Sequence, residues 1–305
     1  MANFTDFLKR SSLTESTEAL NENAAVKQLI TTFDAKEKGA RGKFIAAAKE
    51  LGMMVVPEGG GKYQQNISML VDGHTGLEHS LPIAKGYDDL TALWSATKFG
   101  YTPTFVVSYG GMMGEEYFYD RTEVWKNPRL LRYTPNFLVD GRSIRRPTAP
   151  DNQYNHVNVA AYAKTLRDKG VSVHIGAHGQ REGLGSHWEL WIMNQGGFTP
   201  WEALRGGTID GATHLGMDKQ IGSIEVGKLA DLMVIDGDVL SDIRRSEFVE
   251  YTVLNGRVYE AATMNEVGSK TKRNAFFFEQ NNQLFMPKET QQAIDAKAQK
   301  HHWVH

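Results

Sequence analysis

Gly222-Ser223-Ile224-Glu225-Val226-Gly227-Lys228-Leu229-Ala230-Asp231-Leu232-Met233-Val234-Ile235-Asp236 is where this chain changes texture. Before it, helix-like and strand-like segments alternate. From about residue 218 onward the chain is β-rich, with short apolar runs at Leu232 to Ile235, Val249 to Leu254 and Val258 to Tyr259. Asn255-Gly256 separates the last two runs, and that dipeptide favours the positive φ angles of a two-residue hairpin. The stretch therefore joins an upstream α/β body, residues 24–217, to a small β unit, residues 218–264. It holds no residue with obvious chemistry, so the functional groups are expected upstream.

The upstream alternation reads as follows. Lys36 to Leu51 places Phe44, Ile45, Ala48 and Leu51 at helical spacing, and Gly52 stops it. Met53 to Val56 is a short apolar strand bounded by Pro57 and by Gly59 to Gly61. A helix at Ile67 to Asp72 ends at Gly73 and leads to a strand at Thr75 to Ser80. Tyr87 to Lys98 is helical and is followed by a strand at Tyr101 to Tyr109. Asp151 to Lys169 is a long helix, with Asp151 as N-cap and Gly170 as stop, and Val171 to Gly176 is the next strand. Trp188 to Gly196 and Pro200 to Gly206 are helical. Strands alternating with helices predict a parallel α/β architecture. The segment from Tyr101 to Tyr133 is dense in aromatics (Phe105, Tyr109, Tyr117, Phe118, Tyr119, Trp125) and reads as a long loop, either a substrate wall or a surface packed on a neighbouring domain.

Bulk properties narrow the function. The chain has 305 residues, 41% hydrophobic and 23% charged, as in ordinary globular proteins. A formal net charge of −2 gives a nucleic-acid partner no electrostatic support, and the cluster Arg142 to Arg146 reads as a solvated loop. The absence of cysteine excludes disulfides, thiolate nucleophiles and cysteine-based zinc sites. The first residues lack the apolar core of a secretory signal, and no apolar run is long enough to span a membrane. The compartment is therefore left open. Residues 1–23 form a polar lead-in. Residues 265–305 form a charged tail, with a helix at Lys288 to Lys300 and terminal histidines (His301, His302, His305) that read as a loose end.

Unusual residues gather where strands end, the face that carries chemistry in a β/α barrel. His79 closes Gly76-Leu77-Glu78-His79, and His178 closes Ile175-Gly176-Ala177-His178. His74 precedes the first of these strands, and His187 opens a helix nine residues after His178. Each is read as a metal ligand or proton carrier, or as a satisfied polar residue. Glu58 stands between Pro57 and three glycines, as a ligand, a base, or a carboxylate bound to loop amides. Those glycines make no phosphate loop, because Gly61-Lys62 continues into Tyr63. Lys27 is either an exposed lysine or one that bridges two metals as a carbamate. No Gly-x-Gly-x-x-Gly opens a helix and no Gly-x-Ser-x-Gly elbow occurs, which argues against dehydrogenase and serine-hydrolase chemistry.

Several of these segments resemble the amidohydrolase superfamily in its imidazolonepropionase- and prolidase-like branch, over about residues 26–265. They are GHTGLEHSLP (73–82), KGVSVHIGAHG (169–179), QGGFTPWEALRGGTIDGA (195–212) and the stretch 222–236. The wording of VVPEGG and of GAHGQREGLGSHWELW is similar to the hydrolase module behind TolB-like β-propellers in fusion proteins. The resemblance implies a partial TIM-like (β/α) barrel, from about its fourth to its eighth strand, followed by part of a composite β domain. It implies metal ligation by His79 and metal ligation or proton transfer by His178, which stands where the family has an aspartate. Glu58 falls near the family's histidine on the fifth strand, Lys27 near the bridging lysine, and His187 is a further ligand or support. The implied cofactor is a divalent metal, Zn first, with Mn or Fe as alternatives. The implied reaction is hydrolysis of a C–N bond in an amide, peptide-like or cyclic amide substrate. The family's His-x-His motif is missing, and the first histidine is His74. The chain is therefore expected to be a C-terminal portion of a larger enzyme, its partner being the missing N-terminal half or a propeller. The alternative expectation is a catalytically silent homologue acting as an interaction module.

Overall fold

The computed structural model describes residues 38–274, apart from Lys98, Glu182 and Thr271. The polar lead-in, Lys27, the helix expected at Lys288 to Lys300 and the terminal histidines lie outside the described residues.

Helix α1 (Lys38–Glu50) ends at Gly52, whose φ of 66° needs no Cβ penalty. The chain then runs extended, as the apolar run at Met53 to Val56 predicts, but the pairing reaches further. Thr75 N donates to Val55 O (2.9 Å), Glu78 N to Pro57 O (3.1 Å) and Gly59 N to Glu78 O (2.7 Å). Helix α2 (Tyr63–Asp72) starts earlier than its apolar pattern suggests and ends on left-handed Gly73. Strand β1 (Gly76–Glu78), helix α3 (Asp88–Ser95) and strand β2 (Gly100–Thr102) follow.

β1 and β2 are parallel, with Gly76 opposite Gly100 and Glu78 opposite Thr102. Parallel bridges extend them on both sides, Glu58 to Glu78 and Tyr101 to Val173. Four extended segments thus lie side by side in chain order, with helices in the connections between them. This is the mixed α/β arrangement that alternating segments demand. Leu77, Tyr101 and Val173 face the main core with Trp94, Leu166, Trp188 and Met193. Each large apolar side chain buried there contributes roughly 1.5–3 kcal/mol.

Two expectations are corrected. The strand read over Tyr101 to Tyr109 stops at Thr102. Pro103 has no N–H for a ladder, Thr104 adopts φ 52°, and Phe105 to Val107 form a 3₁₀ turn. The aromatic segment beyond is largely helical, with α4 (Gly114–Arg121), α5 (Pro128–Tyr133) and α6 (Asn136–Ile144). Asn127 caps α5 through Leu130 N (3.0 Å), with Pro128 at the first helical position. Its aromatics pack inward on the same body: Phe118 stacks on Trp188 at 4.7 Å and 12°.

Helix α7 (His156–Asp168) is shorter than expected at its start. Asp151 does not cap it; its carboxylate pairs with Arg121 at 2.8 Å. Helix α8 (Leu184–Gln195) begins earlier than its apolar run, and α9 (Pro200–Gly206) carries a reciprocal cap between Thr199 and Glu202. Helix α10 (Ile209–His214) closes the body.

The β unit is an antiparallel sheet of β3 (Leu232–Ile235), β4 (Val249–Leu254) and β5 (Arg257–Glu260), with β4 central. Asn255 and Gly256 take φ of 48° and 80°, the two positive values the hairpin requires. The unit reaches past residue 264, because Glu266 bridges to Tyr259 and its carboxylate pairs with Arg257 at 2.5 Å. Among the described residues, no helix is long and apolar enough to cross a membrane.

Candidate metal centre

Glu58, His79 and His178 come together at the C-terminal ends of three of the four parallel segments. One ligand atom from each lies within 4.8 Å of the others. His79 Nε2 is 3.6 Å from Glu58 Oε1, and the His79 and His178 rings are 4.9 Å apart, edge to face. His79 is 5% exposed, whereas Glu58 and His178 face solvent. The group is therefore anchored on a buried imidazole and open on its other side.

The protonation states suit metal ligation. Burial lowers the His79 pKa, the neighbouring His178 lowers it further, and Glu58 opposes both. His79 is thus held neutral near pH 7, with a lone pair to give. Its Nδ1 is buried without a hydrogen-bond partner. The other ring nitrogen, Nε2, is the one that faces Glu58 and is free to bind a cation held there. His178 Nδ1 lies 3.1 Å from Gln180 Oε1. That oxygen accepts, which fixes the proton on Nδ1 and leaves Nε2 free to ligate. Two imidazoles and a carboxylate form a donor set that suits Zn and other first-row divalent ions. The residues fit such an ion.

The backbone around the group is unusual. His79, Thr104, Ala177 and His178 have φ of 70°, 52°, 63° and 53°. Left-handed geometry costs a residue with a Cβ roughly 1–2 kcal/mol. The cost is offset by Glu189 of α8, which is fully buried below these turns. Its Oε1 accepts from Val106 N (2.7 Å) and its Oε2 from Gly176 N (3.2 Å).

The other histidines lie elsewhere. His187 sits where α8 meets the turn Ile243–Glu247, with Nδ1 3.1 Å from Ser246 Oγ, and burial pushes its pKa down to about 4. It is set apart from the cluster. His74 Nδ1 faces Met69 O at 3.0 Å and closes the last turn of α2. His174 stacks on His214 at 4.3 Å on the face of the strands opposite Leu77, Tyr101 and Val173, where Gly76 and Gly100 leave room for the His214 ring.

Sequence reasoning did not single out Gln180, Glu189 or Glu115, and it named Tyr109 only as one aromatic of a loop-like segment. Tyr109 packs on His79 at 5.5 Å between ring centres. Glu115, fully buried, holds the turn after His178 through Arg181 (3.1 Å) and Gln180 (3.4 Å). The available signal was Glu189 itself, a carboxylate inside the apolar run Trp188 to Met193.

Residues 139–259 match the sequence pattern described as the Amidohydrolase family, a segment that includes His178 but neither Glu58 nor His79. A 45-residue part of the chain is 56% identical to a 5'-deoxyadenosine deaminase of Methanobrevibacter smithii, covering 15% of this chain and 10% of that protein. Among solved structures, an Xaa-Pro dipeptidase is similar over 72% of this chain and 48% of its own, at 20% identity and a TM-score of 0.51. Molinate hydrolase covers 79% and 50% at 14% identity, and phenylurea hydrolase B 75% and 48% at 16%, each with a TM-score of 0.53. These likenesses show a shared fold. The chain spans about half the length of the solved structures it matches.

Proposed function

We propose that this chain is part of a metal-dependent amidohydrolase-like enzyme that hydrolyses C–N bonds in amide, peptide-like or cyclic amide substrates. The observation that carries this reading is the meeting of Glu58, His79 and His178 at parallel strand ends. His79 and His178 would hold the ion, with Glu58 as third ligand. Bound there, a divalent ion, Zn first, supplies a Lewis acid that lowers the pKa of water. Neutral His79 donates its lone pair from a buried position. Glu58, exposed and with a second carboxylate oxygen beside the one that ligates, would take a proton from water and return it to the leaving nitrogen, and His178 would do so only in place of ligation.

We read residues 24–217 as a partial TIM-like barrel, about its fourth to eighth strands. Four parallel segments in chain order and the half-length match to solved structures support this. On this reading a further segment, either the other half of the barrel or a propeller-linked module, completes the catalytic unit.

The test is elemental analysis of the purified protein together with a hydrolysis screen. The screen includes an Xaa-Pro dipeptide and a phenylurea, after the names of the similar structures. About one equivalent of Zn, Mn or Fe per chain is expected, with loss of metal and of turnover in His79→Ala. Undiminished hydrolysis by a metal-free preparation would overturn the reading. Metal retention without turnover on any C–N substrate would instead point to a silent interaction module.

A further inference from the structure

The Gly176-to-His178 turn has a demanding geometry. Ala177 and His178 are both left-handed, and a Cβ at Gly176 would lie 2.2 Å from Thr104 Oγ1. The turn after β2 is equally constrained, with Thr104 left-handed and Phe105 starting a 3₁₀ turn. The two turns touch, and neither is held by regular strand pairing. Glu189 is the group common to both. One carboxylate oxygen takes Val106 N and the other takes Gly176 N, while the amides of Phe105 and Ala177 also bear on it. Every hydrogen-bonding neighbour found for this carboxylate is a backbone N–H, so an acceptor-only side chain is what the site requires. Alanine here would leave the amides of buried Phe105 and Val106 unsatisfied and release Gly176.

We propose that Glu189 is the positioning residue for His178: by tying the two turns together it aims the His178 imidazole at His79 and Glu58. This rests on the metal-centre reading above. Glu189 does not touch the ligand atoms. It acts only through the backbone of the turn that His178 terminates.

The test compares Glu189→Gln, His178→Ala and the double variant in the full chain at pH 8. Zn affinity is measured by competition with a chelating dye, and amide exchange is followed by mass spectrometry on metal-free protein. Glu189→Gln is expected to weaken Zn binding 10–100-fold, the usual range for groups that orient ligands. It is expected to speed exchange in segments 104–107 and 175–178 while leaving 76–79 unchanged. The double variant is expected to bind no more weakly than His178→Ala, because Glu189 works through His178. A merely structural role would lower the melting temperature, leave affinity within twofold of the parent, and make the two losses multiply; that pattern overturns the proposal. If the parent chain binds no Zn, the metal-centre reading fails, and exchange alone decides the clamp: faster exchange confined to both turns upholds it, unchanged exchange overturns it. Should Glu189→Gln not fold, the same measurements on Glu189→Gln with Ala177→Gly decide. Glycine adopts the left-handed turn without strain, so it should restore folding and part of the affinity.

Discussion

His174 and His156 are buried, His187 is half-buried, and all three are held neutral. Burial pushes their pKa values down to about 3, 4 and 4, with the stacked His214 adding to the effect at His174. Burial also pushes the carboxyls of Glu189 and Glu247 up to about 7. Their effects on stability have opposite signs. A histidine depressed below its unfolded value of about 6.5 contributes stability that is present above that pH and is lost as pH falls toward the folded value. A carboxyl raised above its unfolded value contributes stability that is present below that value and is lost as pH rises through about 7. Between about pH 4.5 and 6.5 the three histidines outweigh the two carboxyls by one proton, so these five groups together make stability rise with pH by about 1.4 kcal/mol per unit. Below about 4.5 the carboxyls stop compensating, but the histidines near 4 then take up protons in the folded state too, so the slope peaks at about 2 kcal/mol per unit and falls away. Urea unfolding across pH 3.5 to 7.5 should show this rise. A profile flat from pH 4 to 6.5 would contradict the burial assigned to these histidines. The same scale shows what could be read in advance. His79 and His178 were legible because each follows a strand-like run. His187 was not, because the side of a helix on which a first-turn residue emerges depends on what packs there, and Ser246 lies 59 positions away in sequence.

Among elements, the face of the β1–β2 pair opposite Leu77 and Tyr101 depends on what is missing from it. A Cβ on Gly76 or Gly100 would lie 2.7 or 2.6 Å from the His214 ring. Those two glycines allow α10 to lodge His214 against the strands, stacked on His174. Gly100→Ala should therefore cost about 1–3 kcal/mol by overpacking. Adding His214→Ala should recover much of that loss, because the alanine methyl then has space. Thermal melts of the two single variants and the double would show it, and strictly additive losses would refute the pairing. Neither glycine could be assigned this role from sequence, since the ring that fills the space comes from more than a hundred residues downstream. The hairpin at Asn255-Gly256 was fully legible, because its requirement for positive φ is local. The helices α4 to α6 were not. They are short, their apolar residues serve a core built by α8, and a six- to nine-residue helix gives periodicity little room to appear.

At the scale of the whole molecule, the β unit is attached more loosely than the body is built. Leu232, Met233 and Val234 are consecutive in β3, so they point alternately to opposite faces, yet they are 37%, 45% and 45% exposed. Among the described residues, neither face of this strand is covered. A three-stranded sheet gains stability chiefly from an apolar face packed on something, and this one has little of it. Its attachment to the body is Ile243, which enters the main core, together with a set of polar joints. Ser246 Oγ meets His187 Nδ1 (3.1 Å) and accepts from Trp191 Nε1 (3.0 Å), while Arg129 donates to Glu247 O (3.1 Å) and the Tyr133 hydroxyl to Ala262 O (2.6 Å). Local stability should follow this division. Amides in β3 to β5 are expected to exchange well before those of α7 and α8, whose inner faces join the main core. Ser246→Ala removes the shared partner of a half-buried imidazole and indole, a loss of about 1 kcal/mol at the joint. It should speed exchange across residues 232–260 while leaving α7 unchanged. If the β unit and α7 exchange together in both proteins, the unit and the body unfold as one, and the division fails.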